Sequence, residues 1–196
     1  MPLAPPAAAG AAPPTARSIL GLLQREAASF PPARRHLSRR PCGDSPPVAV
    51  TLGATAYANG RPALSKATRR HVALTRALCA FARDAIARGR GGAVGTFTSV
   101  QVNRNCRMRL HTDHGNQGPS LAIALGAFTG GALHVAERGD LDLHDRWESY
   151  DGAAPHCTRP WEGERFVLVF FTVRGARPAL GGAEHTQPTA LHRRLR

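Results

Sequence analysis

The sequence predicts an α+β protein in which N-terminal helices support a β-sandwich or barrel of the jelly-roll kind. Two observations carry this prediction. Before residue 88, apolar residues recur at three- and four-residue steps, which is the period of an amphipathic helix. After Gly92, the chain changes to short β-like segments separated by turn residues. In a chain of 196 residues we expect one folded domain, at residues 46–176.

Residues 1–45 are predicted to form an arm outside that domain, either disordered or a targeting segment. The arm begins with almost nothing but Ala and Pro, which bury too little apolar surface to offset the entropy of the chain. Within it, Ile19 and Leu23 predict a short amphipathic helix in the stretch 15–30. Because this stretch is rich in Arg and poor in acids, an organelle transit peptide is one interpretation, and composition bias is the other.

The next element is a predicted helix at about residues 65–88, with Ser65 as its N-cap and a glycine-rich stretch at its end. Its apolar positions form one buried stripe, and Arg69, Arg76 and Arg83 lie off that stripe. The simpler interpretation is a solvated outer face on a scaffold helix. The alternative is a basic surface that follows the phosphates of a nucleic acid.

Short β-like segments then form the predicted β-core at residues 94–174, and one further segment at 48–52 precedes the helix. Gly-Gly and Asp-Gly turns are among the breaks between the segments. Beyond the domain, residues 177–196 are predicted to be a basic tail. The segments of the core are 96–103, 120–126, 132–136, 147–150, 155–157 and 165–173.

The net charge of +13 raises the question of a nucleic-acid partner. Most of this charge lies outside the β-core, since residues 93–174 hold eight Arg against nine acidic residues. A basic helix or tail could still contact phosphates. An Arg-, Ala-, Gly- and Pro-rich composition is also what nucleotide bias produces. Nucleic acid, reached through the helix and the tails, therefore stays one expected partner class beside an unknown substrate.

Composition disfavours two other classes of protein. The four cysteines are far apart and form no CxxC pair, which predicts reduced thiols rather than a disulfide framework or a zinc site. The longest strongly apolar run, residues 166–173, is far shorter than the roughly 18–20 residues of a membrane-spanning helix. We expect an intracellular protein without a transmembrane segment, and organelle targeting is the alternative.

The candidate chemistry begins with an HxD motif at His111 and Asp113, because alternate residues of an extended backbone project from the same face. Such a motif also arises by chance in a chain with nine His, and it then marks only a surface turn. His156 follows His111 by 45 residues, as a ligand from a non-adjacent strand would. Two imidazoles and one carboxylate on one side of an octahedral ion leave three positions open, the arrangement of non-haem Fe(II) oxygenases.

Arg165 lies nine residues after His156 and opens the most apolar segment of the chain. A cation at that position is either solvated at the rim or turned inward to hold a carboxylate through a bidentate fork. Beside a metal triad we favour the inward role, because a keto acid that chelates iron needs its far carboxylate anchored.

Three stretches of the sequence resemble the 2-oxoglutarate- and Fe(II)-dependent dioxygenase superfamily. They are VQVNRN, HTDHGNQGPSLAIALGAFTGGALHV and YDGAAPHCTRPWEGERFVLVFFT. The nearest likeness is to the branch of ten-eleven translocation and base-J-binding proteins with their uncharacterised algal and protist relatives. The likeness covers roughly residues 94–174. It rests on the HxD motif, the Gly-Gly turn, the Asp-Gly before the second His and the downstream Arg, in that order.

The resemblance implies a double-stranded β-helix, which is a jelly-roll fold, with His111, Asp113 and His156 as iron ligands. It implies that Arg165 anchors the carboxylate of 2-oxoglutarate. The implied cofactors are Fe(II), 2-oxoglutarate and O₂. Ascorbate, or another reductant-like compound in place of 2-oxoglutarate, is a further candidate. The implied reaction releases succinate and CO₂ and hydroxylates a C–H bond of the substrate.

The resemblance also implies polar contacts to co-substrate or substrate from Asn103, Asn116 and Ser120, whose alternative role is turn capping. The substrate stays open between a nucleic-acid 5-methylpyrimidine, a peptidyl (prolyl-type) residue and other C–H bonds. The chain lacks the long insertions and cysteine-rich regions of animal DNA demethylases, which disfavours specific 5-methylcytosine oxidation. A non-catalytic binding module of the same fold is the remaining alternative, and the intact triad and arginine argue against it.

Overall fold

The computed structural model describes residues 12–34, 37–38, 45–56 and 61–176. The start of the predicted arm, the basic tail at 177–196 and Cys42 lie outside the described residues. None of the helices in the described part of the chain is long and apolar enough to cross a membrane.

Helices come first in the described chain, and short strands dominate its second half. The α-helices are α1 (Ala16–Glu26), α2 (Lys66–Arg70) and α3 (Val72–Ala87), and a 3₁₀ turn at Ala27–Ser29 follows α1. The first strands are β1 (Val48–Ala56), β2 (Pro62–Leu64) and β3 (Ser99–Arg104). The later strands are β4 (Ser120–Leu125), β5 (Phe128–Gly130), β6 (Leu133–Val135), β7 (Gly139–Leu141), β8 (Glu148–Tyr150), β9 (His156–Thr158), β10 (Trp161–Gly163) and β11 (Phe166–Phe171).

The strands after α3 alternate between two sheets. The larger sheet has the antiparallel order β2-β1-β3-β11-β4-β8, and the smaller sheet has the order β7-β6-β9. A bridge between His111 and His156 adds the segment after β3 to the edge of the smaller sheet. Strands β5 and β10 pair as a separate ribbon. The chain thus winds back and forth between two sheets as a double-stranded β-helix, which confirms the predicted jelly roll with N-terminal helices.

The two faces of the larger sheet carry side chains of different size. On β4, Leu121, Ile123 and Leu125 belong to the core cluster that includes the helices. The intervening Ala122 and Ala124 belong to the cluster between the two sheets. This split follows from the period of two in a strand. Because the inward residues are small, space remains between the sheets for a cavity.

Helix α1 belongs to the folded domain, which corrects the assignment of residues 1–45 to an arm outside it. The predicted amphipathic helix forms. Its residues Ile19 and Leu23 are fully buried in the same cluster as Leu74 and Leu78 of α3. The apolar stripe, which would also suit a transit peptide, is here used to pack against α3 and the larger sheet. Sequence periodicity alone does not distinguish these two uses.

The helix predicted at 65–88 is two helices, because the backbone leaves the helical conformation at His71. The buried imidazole of His71 lies 2.7 Å from a carboxylate oxygen of Glu26 and meets the Phe30 ring edge-on. The break therefore lets His71 connect α2 and α3 to the end of α1. The predicted N-cap is confirmed, since the Ser65 hydroxyl accepts a hydrogen bond from the Thr68 N–H at 3.1 Å.

The helix arginines Arg69, Arg76 and Arg83 are exposed, as the pattern predicts. That exposure suits both a solvated face and a phosphate-binding face, so the nucleic-acid role stays a prediction. The sequence does not predict β2, β5, β7 and β10, each of which is three residues long. Strands of three residues are too short for a period of two to be recognised, and β6, β8 and β9, which are equally short, are predicted from the turn residues and the motif around them.

If α1 is part of the domain, Leu23→Ala should lower the free energy of unfolding by about 2–5 kcal/mol, because it leaves a cavity at a fully buried position. Urea denaturation followed by circular dichroism measures this. The exposed neighbour Arg25→Ala is the control, with an expected change within about 0.5 kcal/mol. Equal, small effects of both substitutions would show that the helix is dispensable for the fold.

Candidate metal centre

The backbone brings the two predicted histidine ligands side by side. The His111 N–H donates to the His156 carbonyl at 3.0 Å, and the His156 N–H donates to the His111 carbonyl at 2.9 Å. Two residues further on, the Asp113 N–H donates to the Gly152 carbonyl at 2.8 Å. The extended backbone predicted for the HxD motif is therefore held against the loop and strand that carry His156.

Both imidazoles are oriented by main-chain carbonyls. The Nδ1 of His111 lies 2.7 Å from the Arg109 carbonyl, and the Nδ1 of His156 lies 2.8 Å from the Ala154 carbonyl. Because a carbonyl oxygen can only accept, each Nδ1 must carry the proton. In a neutral ring this leaves the lone pair on Nε2, the nitrogen that is available to a metal ion.

The two Nε2 atoms face the Asp113 carboxylate. They lie 3.8 Å (His111) and 4.0 Å (His156) from its oxygens, which is too long for a hydrogen bond and leaves room for a shared ion. One ligand atom from each residue lies within 4.8 Å of the others. Across the described ranges, no other cluster of His, Cys, Asp or Glu has this spacing.

The local environment favours the neutral ligand form at His111. Burial lowers the pKa of this imidazole, and the neighbouring His156 acts in the same direction, whereas the Arg109 carbonyl and Asp113 oppose the shift. Burial also raises the pKa of the Cys106 thiol to about 12, so it is protonated at neutral pH. Cys106 also lies outside the group of three residues whose ligand atoms are within 4.8 Å of one another.

Asp113 is itself held in place by two neighbours. The side-chain amide of Asn116 donates to its Oδ2 at 3.2 Å. A Cβ on Gly152 would lie 3.2 Å from the same oxygen, so the glycine lets the loop approach the carboxylate closely. Outer groups of this kind fix the direction of a metal ligand. The sequence suggests that Asn116 contacts co-substrate or substrate. In the structure its side chain contacts Asp113, a candidate metal ligand.

Arg165 is turned inward, as predicted, and only 2% of it is exposed. Its guanidinium lies over the rings of Phe128 and Trp161, 5.5 and 5.3 Å from their centroids, and donates to the Gly131 carbonyl at 2.7 Å. Its backbone N–H donates to the Asn105 side chain at 3.0 Å. A Cβ on Gly131 would lie 2.9 Å from the Arg165 Nε, which explains why this turn needs glycine.

A single cavity of about 430 Å³ between the two sheets contains the triad and Arg165 in its lining. Asn103 and Asn116 also line it, as the resemblance implies. Ser120 does not, since it is fully buried at the position paired with Tyr150, and it is Tyr150 that lines the cavity.

Sequence reasoning missed several lining residues. Thr51 and Gln101 on neighbouring strands and Arg34 from the N-terminal segment all line the cavity. Nothing in their local sequence sets them apart from ordinary surface residues. The pairing of β1 with β3, and of Pro32 with Val48, brings them to the site.

Comparison with known proteins gives likeness of structure and no match in sequence. No protein-family model and no curated protein matches the chain. NgTET1 in complex with 5mC DNA is similar at TM-score 0.47 and 13% identity, over 65% of this chain and 61% of that chain, less than two thirds of its length.

Two bacterial structures are similar over larger shares of the chain. An oxidoreductase of the 2OG-Fe(II) oxygenase family from Burkholderia pseudomallei has TM-score 0.48 and 20% identity, over 78% of this chain and 76% of that chain. A Pseudomonas putida prolyl-4-hydroxylase has TM-score 0.46 and 15% identity, over 82% of this chain and 86% of that chain. Because one fold hosts many activities, function has to come from the site.

Asn116→Ala should weaken Fe(II) binding about tenfold, because the Asp113 carboxylate loses its orienting donor. Anaerobic competition against a chromophoric chelator measures the affinity. His114→Ala is the control, since His114 is exposed, lies beside the motif and is not in the triad. If both variants bind Fe(II) equally well, Asn116 does not position the ligand.

Proposed function

We propose that the protein is an Fe(II)- and 2-oxoglutarate-dependent dioxygenase that hydroxylates a C–H bond of its substrate, with release of succinate and CO₂. One observation carries the proposal: two imidazole Nε2 atoms and a carboxylate converge in the same cavity as a buried guanidinium. The triad suits a catalytic metal and the guanidinium suits a dianionic co-substrate. Neither group alone would indicate this reaction class.

The donor set fits Fe(II) in chemistry and in position. His111, Asp113 and His156 would hold the ion, with nitrogen and oxygen ligands of the type that non-haem iron takes. When bound, Fe(II) would supply the activation of O₂ and the oxidative decarboxylation of the keto acid. The protein itself holds the three ligand atoms within 4.8 Å of one another in the lining of the cavity.

Arg165 supplies the second half of the proposed site. The Arg165 side chain, 2% exposed and within 5.5 Å of two aromatic ring centroids, has lost most of its hydration and would interact strongly with a carboxylate. A five-carbon diacid that chelates the metal with its keto-acid end would direct its other carboxylate toward this guanidinium. The Gly131 carbonyl accepts a hydrogen bond from the guanidinium and so restricts its orientation in the cavity.

Apolar side chains form part of the lining of the same cavity. Leu133, Leu143 and Val167 line the cavity and belong to the apolar cluster between the sheets. Burial and the nearby charge of Asp113 raise the pKa of the Tyr150 hydroxyl, which therefore stays neutral. A buried charge such as that of Arg165 interacts more strongly with a charged partner than it would in water.

Anaerobic addition of Fe(II) and 2-oxoglutarate should produce the visible metal-to-ligand charge-transfer band of a chelated keto acid. We expect His111→Ala to lose both the band and iron binding. Arg165→Lys, which keeps the charge but loses the fork, should raise the half-saturating 2-oxoglutarate concentration about tenfold or more and leave Fe(II) affinity unchanged.

The outcomes separate the parts of the proposal. Iron binding without a band in the wild type would point to a different co-substrate, and no iron binding would overturn the oxygenase assignment. Gly131→Ala tests the position of Arg165 without substituting Arg165 itself. The new methyl group would lie 2.9 Å from the Arg165 Nε and would displace the guanidinium. It should weaken 2-oxoglutarate binding and spare Fe(II) binding. The converse result would contradict the role of Arg165.

A further inference from the structure

The cavity extends beyond the double-stranded β-helix. Its lining includes Ala49 and Thr51 of β1, a strand that extends the larger sheet past β3. It also includes the segment 32–34, which is fixed beside β1 because the Ala33 N–H donates to the Pro47 carbonyl at 3.0 Å. We call the part of the lining formed by β1, Gln101, Asn103 and segment 32–34 the side compartment; it contributes neither a triad residue nor Arg165 to the cavity.

Three polar side chains form a hydrogen-bonded strip along this compartment. The Thr51 hydroxyl donates to the Gln101 carbonyl oxygen at 2.5 Å, and the Gln101 amide donates to Asn103 Oδ1 at 3.0 Å. The same amide nitrogen lies 3.3 Å from the Val102 carbonyl, which can only accept, and this contact fixes the orientation of Gln101. Because Asn103 Oδ1 accepts the hydrogen bond from Gln101, the Asn103 side chain offers its amide N–H groups as donors to the cavity that it lines.

Arg34 adds a cation to the same compartment. Its side chain is exposed and lines the cavity, and no carboxylate of the described residues forms an ion pair with it. The Asn103 amide and the Arg34 guanidinium are both donors. An occupant of this compartment is therefore recognised through hydrogen-bond acceptors.

Charge balance favours an anion over a neutral acceptor. Apart from the two histidine ligands, the charged lining residues are Arg34 and Arg165 against Asp113, a net charge of +1. A divalent metal ion and dianionic 2-oxoglutarate cancel one another. The loaded cavity would keep its single positive charge, and Arg165 would already be engaged by the co-substrate.

We propose that the substrate is a small organic acid whose carboxylate is bound by Arg34 and Asn103 in the side compartment, with Thr51 and Gln101 positioning Asn103. This inference rests on the proposed function, because it assigns the second ligand of that site. The carboxylate would hold one end of the substrate at β1 and leave a C–H bond of its apolar part to face the metal centre.

The test is calorimetric titration of butanoate, pentanoate and hexanoate, and of their primary amides, into protein loaded with Mn(II) and 2-oxoglutarate. We expect at least one carboxylate to bind about tenfold more tightly than its amide, the effect of one charge-assisted hydrogen bond. Arg34→Gln should abolish that preference and leave the 2-oxoglutarate affinity unchanged. Asn103→Leu should weaken carboxylate binding, and Arg69→Gln, an exposed arginine on α2, should change nothing.

Three results would overturn the proposal: no binding of any carboxylate, equal binding of acids and amides, or weaker 2-oxoglutarate binding in Arg34→Gln. Binding of a single-stranded oligonucleotide where the carboxylates fail would assign the compartment to nucleic acid instead. A wild-type protein that binds the carboxylates but shows no charge-transfer band with Fe(II) and 2-oxoglutarate would refute the proposed function and retain the anion site.

Discussion

Two backbone hydrogen bonds between His111 and His156 hold together the parts of the chain that make the site. These residues are 45 positions apart, and strands of both sheets and of the β5–β10 ribbon lie between them in the sequence. The pairing sets the separation of the imidazoles, and their Nδ1 contacts to main-chain carbonyls then set the direction of each ring. Metal ligands whose backbones are hydrogen-bonded to each other are held more precisely than ligands on unpaired loops.

The cavity exists because the larger sheet divides its side chains by size. Large residues of β4 and β11 face α1 and α3, and this face carries most of the apolar burial. Small residues such as Ala122 and Ala124 face the smaller sheet. The packing on one face thus provides the stability that lets the other face stay partly open. Helix α1 is part of this arrangement, since Ile19 and Leu23 complete the packed face.

Polar groups inside the cavity are held by their neighbours rather than left to solvent. Asn116 and Gly152 constrain Asp113, Gly131 and two aromatic rings constrain Arg165, and Gln101 constrains Asn103. Each constraint reduces the conformational freedom of the side chain, which would otherwise be lost when a ligand binds. The donors and charges are therefore oriented before any ligand arrives, which is the condition for strong interactions in a desolvated site.

The order of motifs along the chain was enough to predict the jelly roll, the candidate ligands His111, Asp113 and His156, and the inward position of Arg165. The strand period and the turn residues predict the jelly roll, and the spacing of the HxD motif offers His111 and Asp113 as candidates. The complete ligand set and the inward Arg165 depend on the combination of these residues and on the resemblance to a known family, since the cost of burying a cation would by itself favour the rim. The tertiary structure decided four other features. They are the place of α1 in the core, the break at His71, the exclusion of Ser120 from the cavity and the presence of Arg34 and Thr51 in it. Each depends on which strand or helix lies beside which, and contacts between distant parts of a chain leave no periodic signal in the local sequence.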